Sequence, residues 1–183
     1  IFCENDSDKV AIPGNAENEQ IPVEQGLLSV SIRATLSSTD VIGDVAQEEF
    51  LEYGVAANFR LPWVWYSQSG WGFGTRLMAS AGALYGAGET ALVVSLIPLL
   101  ALGSQDGKFT IDLGAGGVLL SRQHFGTQDF GGPFQFALTV GAGVPLFKRF
   151  GVGYRYLHYS DAGINGPYTT GADLHMLEIT CRF

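Results

Sequence analysis

The sequence predicts an all-β protein, an eight-stranded antiparallel up-and-down transmembrane β-barrel. From residue 26 onward, hydrophobic residues alternate with polar or small ones in eight segments, the two-residue period of strands with two unlike faces. Hydrophobic residues make up 46% of the chain and charged residues only 15%. The longest apolar run, 91–102, is too short for a membrane helix, which needs about 20 residues. An even number of strands without helices between them is typical of an up-and-down barrel.

The spacing of the eight segments also matches a membrane barrel. They cover approximately residues 27–36, 50–60, 71–83, 91–102, 108–120, 133–144, 149–160 and 172–183. Most of the long gaps alternate with short ones, as in barrels with long external loops and short periplasmic turns. The last segment ends in alternating hydrophobic residues and Phe183, which resembles the C-terminal assembly signal of bacterial outer-membrane barrels. We therefore expect residues 26–183 to form a multi-pass barrel in the bacterial outer membrane, with periplasmic termini.

The two faces of the predicted strands differ in chemistry. One face is apolar and includes Leu28, Val30, Ile32, Ala34, Leu51, Tyr53, Val55 and Phe59; the other carries Arg33, Glu52, Arg76, Asp112, Arg155 and Glu178. Few charges, concentrated on one face, favour an apolar wall against lipid and a narrow polar lumen in which opposite charges pair. Periodicity alone leaves a soluble ligand-binding barrel as an alternative. The fourth segment is apolar on both faces, which indicates a lumen patch or a contact surface.

Charge and cysteine content limit the remaining function classes. The formal net charge of −8 argues against a nucleic-acid-binding surface. Residues 1–25 hold six acidic residues and one lysine, a net charge of −5, and we expect a periplasmic leader that is disordered or binds a partner. Cys3 and Cys181 could pair in an oxidising compartment, which the sequence does not decide. We expect no metal site.

Four polar residues near the end of the chain interrupt the apolar outer face. Along the seventh strand, the lipid-facing positions continue to His158 and Ser160; along the eighth, the same face holds His175 and Asp173. His158, Ser160 and Asp173 thus fall at the external end of two adjacent antiparallel strands. Polar groups on a lipid-facing wall are costly unless they lie at the interface or have a function.

These three residue types are the parts of an acyl-transfer triad. The histidine would act as general base, the carboxylate would orient the histidine, and the serine would attack a carbonyl carbon. An equally simple interpretation is that strand ends near the interface carry polar residues. His175, on the same face, is either such an interfacial residue or a contact behind the triad.

The motif resembles a known family, the outer-membrane lipid A 3-O-deacylases of the PagL type. Their eight-stranded barrels carry His-x-Ser, then Asn-Ala-Gly, a proline and Gly-x-Glu near the carboxyl end. The corresponding residues are His158-Tyr159-Ser160, Ala162-Gly163-Ile164, Pro167 and Gly171-Ala172-Asp173. The match covers about 16 residues; the family's acid is usually glutamate, and Asp161 stands where the family typically has asparagine.

The resemblance implies hydrolysis of the 3-linked hydroxyacyl ester of lipid A without a metal or other cofactor. Carried over, Ser160 is the nucleophile, His158 the base and Asp173 the orienting acid, while the N–H groups of Ala162 and Gly163 could hold the oxyanion. The expected partner is lipid A or lipopolysaccharide in the outer leaflet; a homodimer or an envelope-complex partner stays open. The alternative is a catalytically degenerate barrel that serves as a structural or accessory subunit of such a complex, because a carboxylate at Asp161 would repel an oxyanion.

Overall fold

Eight long strands close into a single antiparallel barrel in the computed structural model, which describes residues 26–38, 41–42, 48–67, 70–104, 108–166 and 169–183. Strands β1 to β8 span Leu27–Ser37, Phe50–Tyr66, Trp71–Gly86, Glu89–Ser104, Thr110–Leu120, Phe134–Pro145, Phe150–Ser160 and Ala172–Arg182. Each strand pairs with its neighbours in sequence, and β1 pairs with β8. The predicted barrel is therefore confirmed. The leader 1–25, with Cys3, and Pro167 lie outside the described residues.

The strand boundaries differ from the predicted ones mainly in β2 to β4. β2 continues to Tyr66 through an irregularity between Arg60 and Val64, where Pro62 makes the alternation hard to follow in the sequence. β3 and β4 meet in a two-residue hairpin at Ala87 and Gly88, whose φ angles are 49° and 76°. Two positive φ angles are what a tight hairpin between twisted strands requires. The longer connections 38–49, 121–133 and 161–171 share one end of the barrel, called the long-loop end below; the turns at 67–70, 105–109 and 146–149 lie at the turn end.

The outer wall of the barrel is apolar and the lumen is polar. Exposed side chains on the wall include Ile32, Val55, Leu92, Leu113, Leu119, Leu138 and Val140. Arg33, Glu52, Asp112, Arg155 and Glu178 point inward and are buried. This distribution is that of a barrel surrounded by lipid, because a soluble ligand-binding barrel needs the reverse arrangement. The described part of the chain contains no helix long and apolar enough to cross a membrane.

The buried charges of the lumen are paired, as predicted. Arg33 lies 2.7 Å from Glu52 and also donates to the Ser80 hydroxyl. Arg155 bridges two acids, at 2.8 Å from Asp112 and 2.9 Å from Glu178. Ion pairing of this kind is what makes a charged, dehydrated interior tolerable.

The space around the ion pairs is filled with apolar side chains, except at the turn end. The inward face of β4 presents Val93, Ile97 and Leu99, all buried. The fourth segment is apolar on both faces because its inward face forms an apolar patch in the lumen. At the long-loop end, Phe50 packs against Phe125 and Phe130 with ring centroids 5.3 and 5.5 Å apart. A cavity of about 310 Å³ occupies the lumen at the turn end, remote from the polar residues of the outer wall.

Candidate active site

His158 and Asp173 face each other directly across the β7–β8 ladder. Ser160, two residues beyond His158, is the last residue of β7 and lies on the same outer face. All three are therefore at the long-loop end, on the wall and not in the lumen. The structure brings the predicted histidine and carboxylate into contact and places the serine two residues further along the same face of β7.

The His158 ring donates Nδ1–H to Asp173 Oδ1 at 2.5 Å. Both side chains are buried, with 5% and 2% of their surfaces exposed, whereas Ser160 is partly exposed. Because Nδ1 is held by the carboxylate, the ring presents Nε2 as the proton acceptor, the tautomer that a general base needs. Within the described residues, the Ser160 hydroxyl makes no hydrogen bond to this ring; such bonds often tighten only when substrate binds.

Two residues next to the site fix the backbone that carries it. Tyr159, between the histidine and the serine, points inward and donates its hydroxyl to Glu52 Oε2 at 2.7 Å, which anchors this part of β7 to the lumen. At Gly171, a Cβ atom would lie 2.3 Å from the Tyr159 carbonyl oxygen and 3.4 Å from the His158 ring. Gly171 is the glycine of the Gly-x-acid motif. A side chain is excluded there because the backbone before β8 passes too close to the Tyr159 carbonyl group.

Three further groups contact the Asp173 carboxylate. The Tyr156 hydroxyl donates to Oδ1 at 2.7 Å, on the same oxygen as His158. The backbone N–H groups of Val41 and Ile42, from the β1–β2 connection, both donate to Oδ2, the second at 2.9 Å. Four donors therefore surround one carboxylate on a lipid-facing wall, and together they satisfy both of its oxygens.

His175 lies next to Tyr156, which contacts Asp173. Its ring packs at 5.4 Å from the Tyr156 ring, and its Nδ1 contacts the Tyr154 hydroxyl. The sequence left His175 as either an interfacial residue or a contact behind the predicted triad. The structure favours the second, because His175 packs against Tyr156 and Tyr156 contacts Asp173.

The segment after Ser160 is a tight turn organised by Asp161. Its carboxylate accepts the Gly163 N–H at 2.8 Å and the Asn165 N–H at 3.0 Å. Ala162 and Gly163 both have positive φ angles, 54° and 78°, and this conformation is uncommon for alanine. Of the two predicted oxyanion donors, the Gly163 N–H is therefore already engaged, whereas the Ala162 N–H has no acceptor among the described residues.

The charge state of Asp161 follows from these bonds. Burial alone would raise the pKa of its carboxyl, but the N–H groups of Gly163 and Asn165, together with the side chains of Thr169 and Asn165, outweigh burial and hold the pKa below its usual range. A carboxyl with a lowered folded-state pKa stabilises the fold above its unfolded pKa, and this contribution disappears as the pH falls through the lower folded value. Near neutral pH, Asp161 is ionised and its charge is directed into the turn.

If this site has the ester hydrolase activity that the sequence predicts, we expect Asp161→Asn to lower that activity slightly and not to raise it. The amide keeps one acceptor oxygen and loses the second hydrogen bond to the turn, a net cost of about 1 kcal/mol. If the turn must be formed for catalysis, kcat/KM falls by roughly fivefold, as measured by fatty-acid release in detergent micelles. A tenfold rise would instead mean that the carboxylate opposes the oxyanion, as the degenerate-barrel alternative requires.

Sequence reasoning did not find the groups that hold Asp173. Tyr156 lies two residues before His158 and on the same face, so its parity is visible in the sequence, but the alternation does not show that its hydroxyl reaches the carboxylate. The N–H groups of Val41 and Ile42 leave no such signal, because their role depends on where a connection folds and not on side-chain type.

Comparisons with known proteins show which family the chain resembles. A family model described as "Lipid A 3-O-deacylase (PagL)" matches residues 51–182. The chain is similar to a protein named lipid A deacylase PagL from Bordetella bronchiseptica, 32% identical over 136 residues, 70% of this chain and 75% of that protein. A protein of the same name from Pseudomonas aeruginosa is 28% identical over 156 residues, 77% and 90% of the two chains. A crystal structure described as the outer membrane enzyme PagL has the same fold, with a TM-score of 0.66 at 21% identity, covering 85% of this chain and 99% of that one.

Proposed function

The chain belongs to the lipid A 3-O-deacylase (PagL) family, and from that membership we propose that it removes the 3-O-linked acyl chain of lipid A in the bacterial outer membrane. The observation that carries the proposal is the buried contact between His158 and Asp173, with Ser160 on the same outer face of β7. The apolar wall around the site supports a substrate whose ester lies within the lipid layer.

The mechanism is a two-step acyl transfer. Ser160 Oγ attacks the ester carbonyl carbon while its proton passes to His158 Nε2, and Asp173 stabilises the imidazolium that forms. The tetrahedral intermediate collapses, the C–O bond to the sugar breaks, and the imidazolium gives its proton to the departing sugar oxygen. Water, deprotonated by the same histidine, then hydrolyses the acyl-enzyme to a free fatty acid and regenerated serine.

The oxyanion of the intermediate needs a donor close to Ser160. The Ala162 N–H, in the turn directly after the nucleophile, is suited to that role, because a donor aimed at the developing charge is worth about 3–4 kcal/mol in a site without water. The Gly163 N–H would contribute only if it left Asp161. We therefore assign the oxyanion to Ala162 first.

The position of the site determines how substrate reaches it. Phe136 and Leu138 of β6 lie opposite Ser160 and His158 in the β6–β7 ladder, and both are exposed on the outer wall. An acyl chain of a neighbouring lipid can pack along this surface while its ester reaches Ser160 at the level of the headgroups. Lipid A in the outer leaflet meets these conditions without leaving the membrane.

Product analysis tests the proposal directly. The purified barrel in detergent micelles is incubated with lipid A, and the remaining lipid is analysed by tandem mass spectrometry. We expect the loss of one hydroxyacyl chain from the 3 position, with the 2-linked amide chains retained. Loss of a chain from any other position would overturn the 3-O assignment, and an unchanged lipid would overturn the activity and favour the accessory-subunit alternative.

A further inference from the structure

Asp173 is an aspartate where the family usually has the longer glutamate, and the structure shows how the shorter side chain is held in place. Directly opposed residues in an antiparallel ladder have Cβ atoms only about 4.5–5.5 Å apart, so an aspartate at this register reaches His158 without an additional methylene. Its remaining hydrogen-bonding capacity is filled from two other elements, by Tyr156 on β7 and by the N–H groups of Val41 and Ile42 before β2.

A carboxylate in this position needs those donors for a physical reason. Asp173 is 2% exposed on a wall that faces lipid, where water is scarce and an unsolvated charge is costly. The aspartate side chain can rotate, and a rotation of either torsion would separate Oδ1 from the His158 ring. Donors on both oxygens oppose this rotation, because each alternative rotamer breaks at least one of the bonds.

We propose that the Tyr156 hydroxyl and the backbone N–H groups of Val41 and Ile42 position Asp173 for catalysis, so that these two residues of the β1–β2 connection belong to the active site. This inference rests on the proposed Ser160–His158–Asp173 triad. Tyr156 acts through Asp173 and does not touch the reacting atoms.

The test compares two phenol deletions on one strand. Tyr156→Phe removes the hydroxyl that contacts Asp173, and we expect kcat to fall by about tenfold with KM unchanged, because a poorly oriented Asp173 stabilises the transition state less without changing substrate binding. Tyr154→Phe is the matched control, because its hydroxyl contacts His175 on the same face but not Asp173. Equal kcat values for the two variants would overturn the role of Tyr156.

Val41→Pro tests the loop contribution, since proline has no N–H to donate. We expect a fall in kcat similar to that of Tyr156→Phe, whereas Val41→Ala, which keeps the N–H, stays close to wild type. If Val41→Pro retains wild-type kcat, the β1–β2 connection is not part of the site.

A double-mutant cycle separates positioning from general damage. In an Asp173→Asn background, Tyr156→Phe should have no further effect on kcat, because the group through which it acts is already impaired. A further tenfold loss in that background would show that Tyr156 acts elsewhere and would contradict the proposal.

A measurement that needs no substrate distinguishes failure of this inference from failure of the proposed function. The His158 Nδ1 proton, held by a carboxylate, should give a sharp downfield NMR resonance in the wild type and in Tyr154→Phe. It should broaden in Tyr156→Phe and Val41→Pro as the contact opens. An unaffected resonance would refute positioning even in a chain without activity, whereas broadening with no lipid A hydrolysis would refute only the deacylase assignment.

Discussion

Replacement of Ser160 by alanine should abolish fatty-acid release from lipid A. Ser160 Oγ is the only atom of the proposed triad that forms a covalent bond with the acyl group. Loss of such a nucleophile lowers kcat by on the order of 10⁶-fold. The barrel itself should be unaffected, because within the described residues the Ser160 hydroxyl makes no hydrogen bond that stabilises the fold. Heat-modifiable mobility in an SDS gel and free fatty acid quantified by mass spectrometry are the two readouts.

Ser104→Ala provides the matched control. That serine ends β4 at the turn end, where its hydroxyl accepts the Phe109 N–H at 3.2 Å, so the variant loses a hydroxyl at the opposite end of the barrel. We expect wild-type release from it. Comparable release by Ser160→Ala and wild type would show that Ser160 is not the nucleophile.

The second large effect is expected for Asp173→Asn. The amide keeps the size of the side chain but cannot stabilise an imidazolium, and its NH₂ group can face Nδ1 and favour the wrong tautomer of His158. Isosteric loss of the triad acid lowers kcat by about 10⁴-fold in a serine hydrolase. The rate of lipid A hydrolysis under substrate saturation measures this effect.

Asp129→Asn is a matched control for the acid, because Asp129 also contacts a histidine, His124, at 3.1 Å, but in an exposed part of the 121–133 connection. It should retain wild-type activity. Asp173→Glu restores the family's usual acid, and we expect it to keep more activity than Asp173→Asn, since the negative charge remains. If Asp173→Asn retains within tenfold of wild-type kcat, Asp173 is not the triad acid.

Much of the barrel could be predicted because membrane strands obey a simple rule. Each lipid-facing position must be apolar, so a two-residue period with few charges indicates both strand and face. The same rule located His158, Ser160 and Asp173, as polar residues on an otherwise apolar face. It was less reliable around Pro62 and at the Ala87–Gly88 hairpin, where a proline or a very short turn obscures the alternation.

Register and the course of the connections were not predictable in this way. Alternation places His158 and Asp173 on one face, but only the ladder shows that they are directly opposed. The donation of Gly163 N–H to Asp161 depends on two consecutive positive φ angles, which the residue types permit but do not require.

The sequence alone determined the strand number, the apolar face of each strand, and the positions of His158, Ser160 and Asp173 on that face, because each of these follows from the sequence pattern of one strand at a time. Only the tertiary structure decided what surrounds Asp173. The hydroxyl of Tyr156 and the N–H groups of Val41 and Ile42 meet this carboxylate because closure of the barrel brings β1 beside β8 and the following connection over their shared end. Almost every residue type has a backbone N–H group. Which of these groups donate to Asp173 therefore depends on the path of the folded chain and cannot be read from residue types.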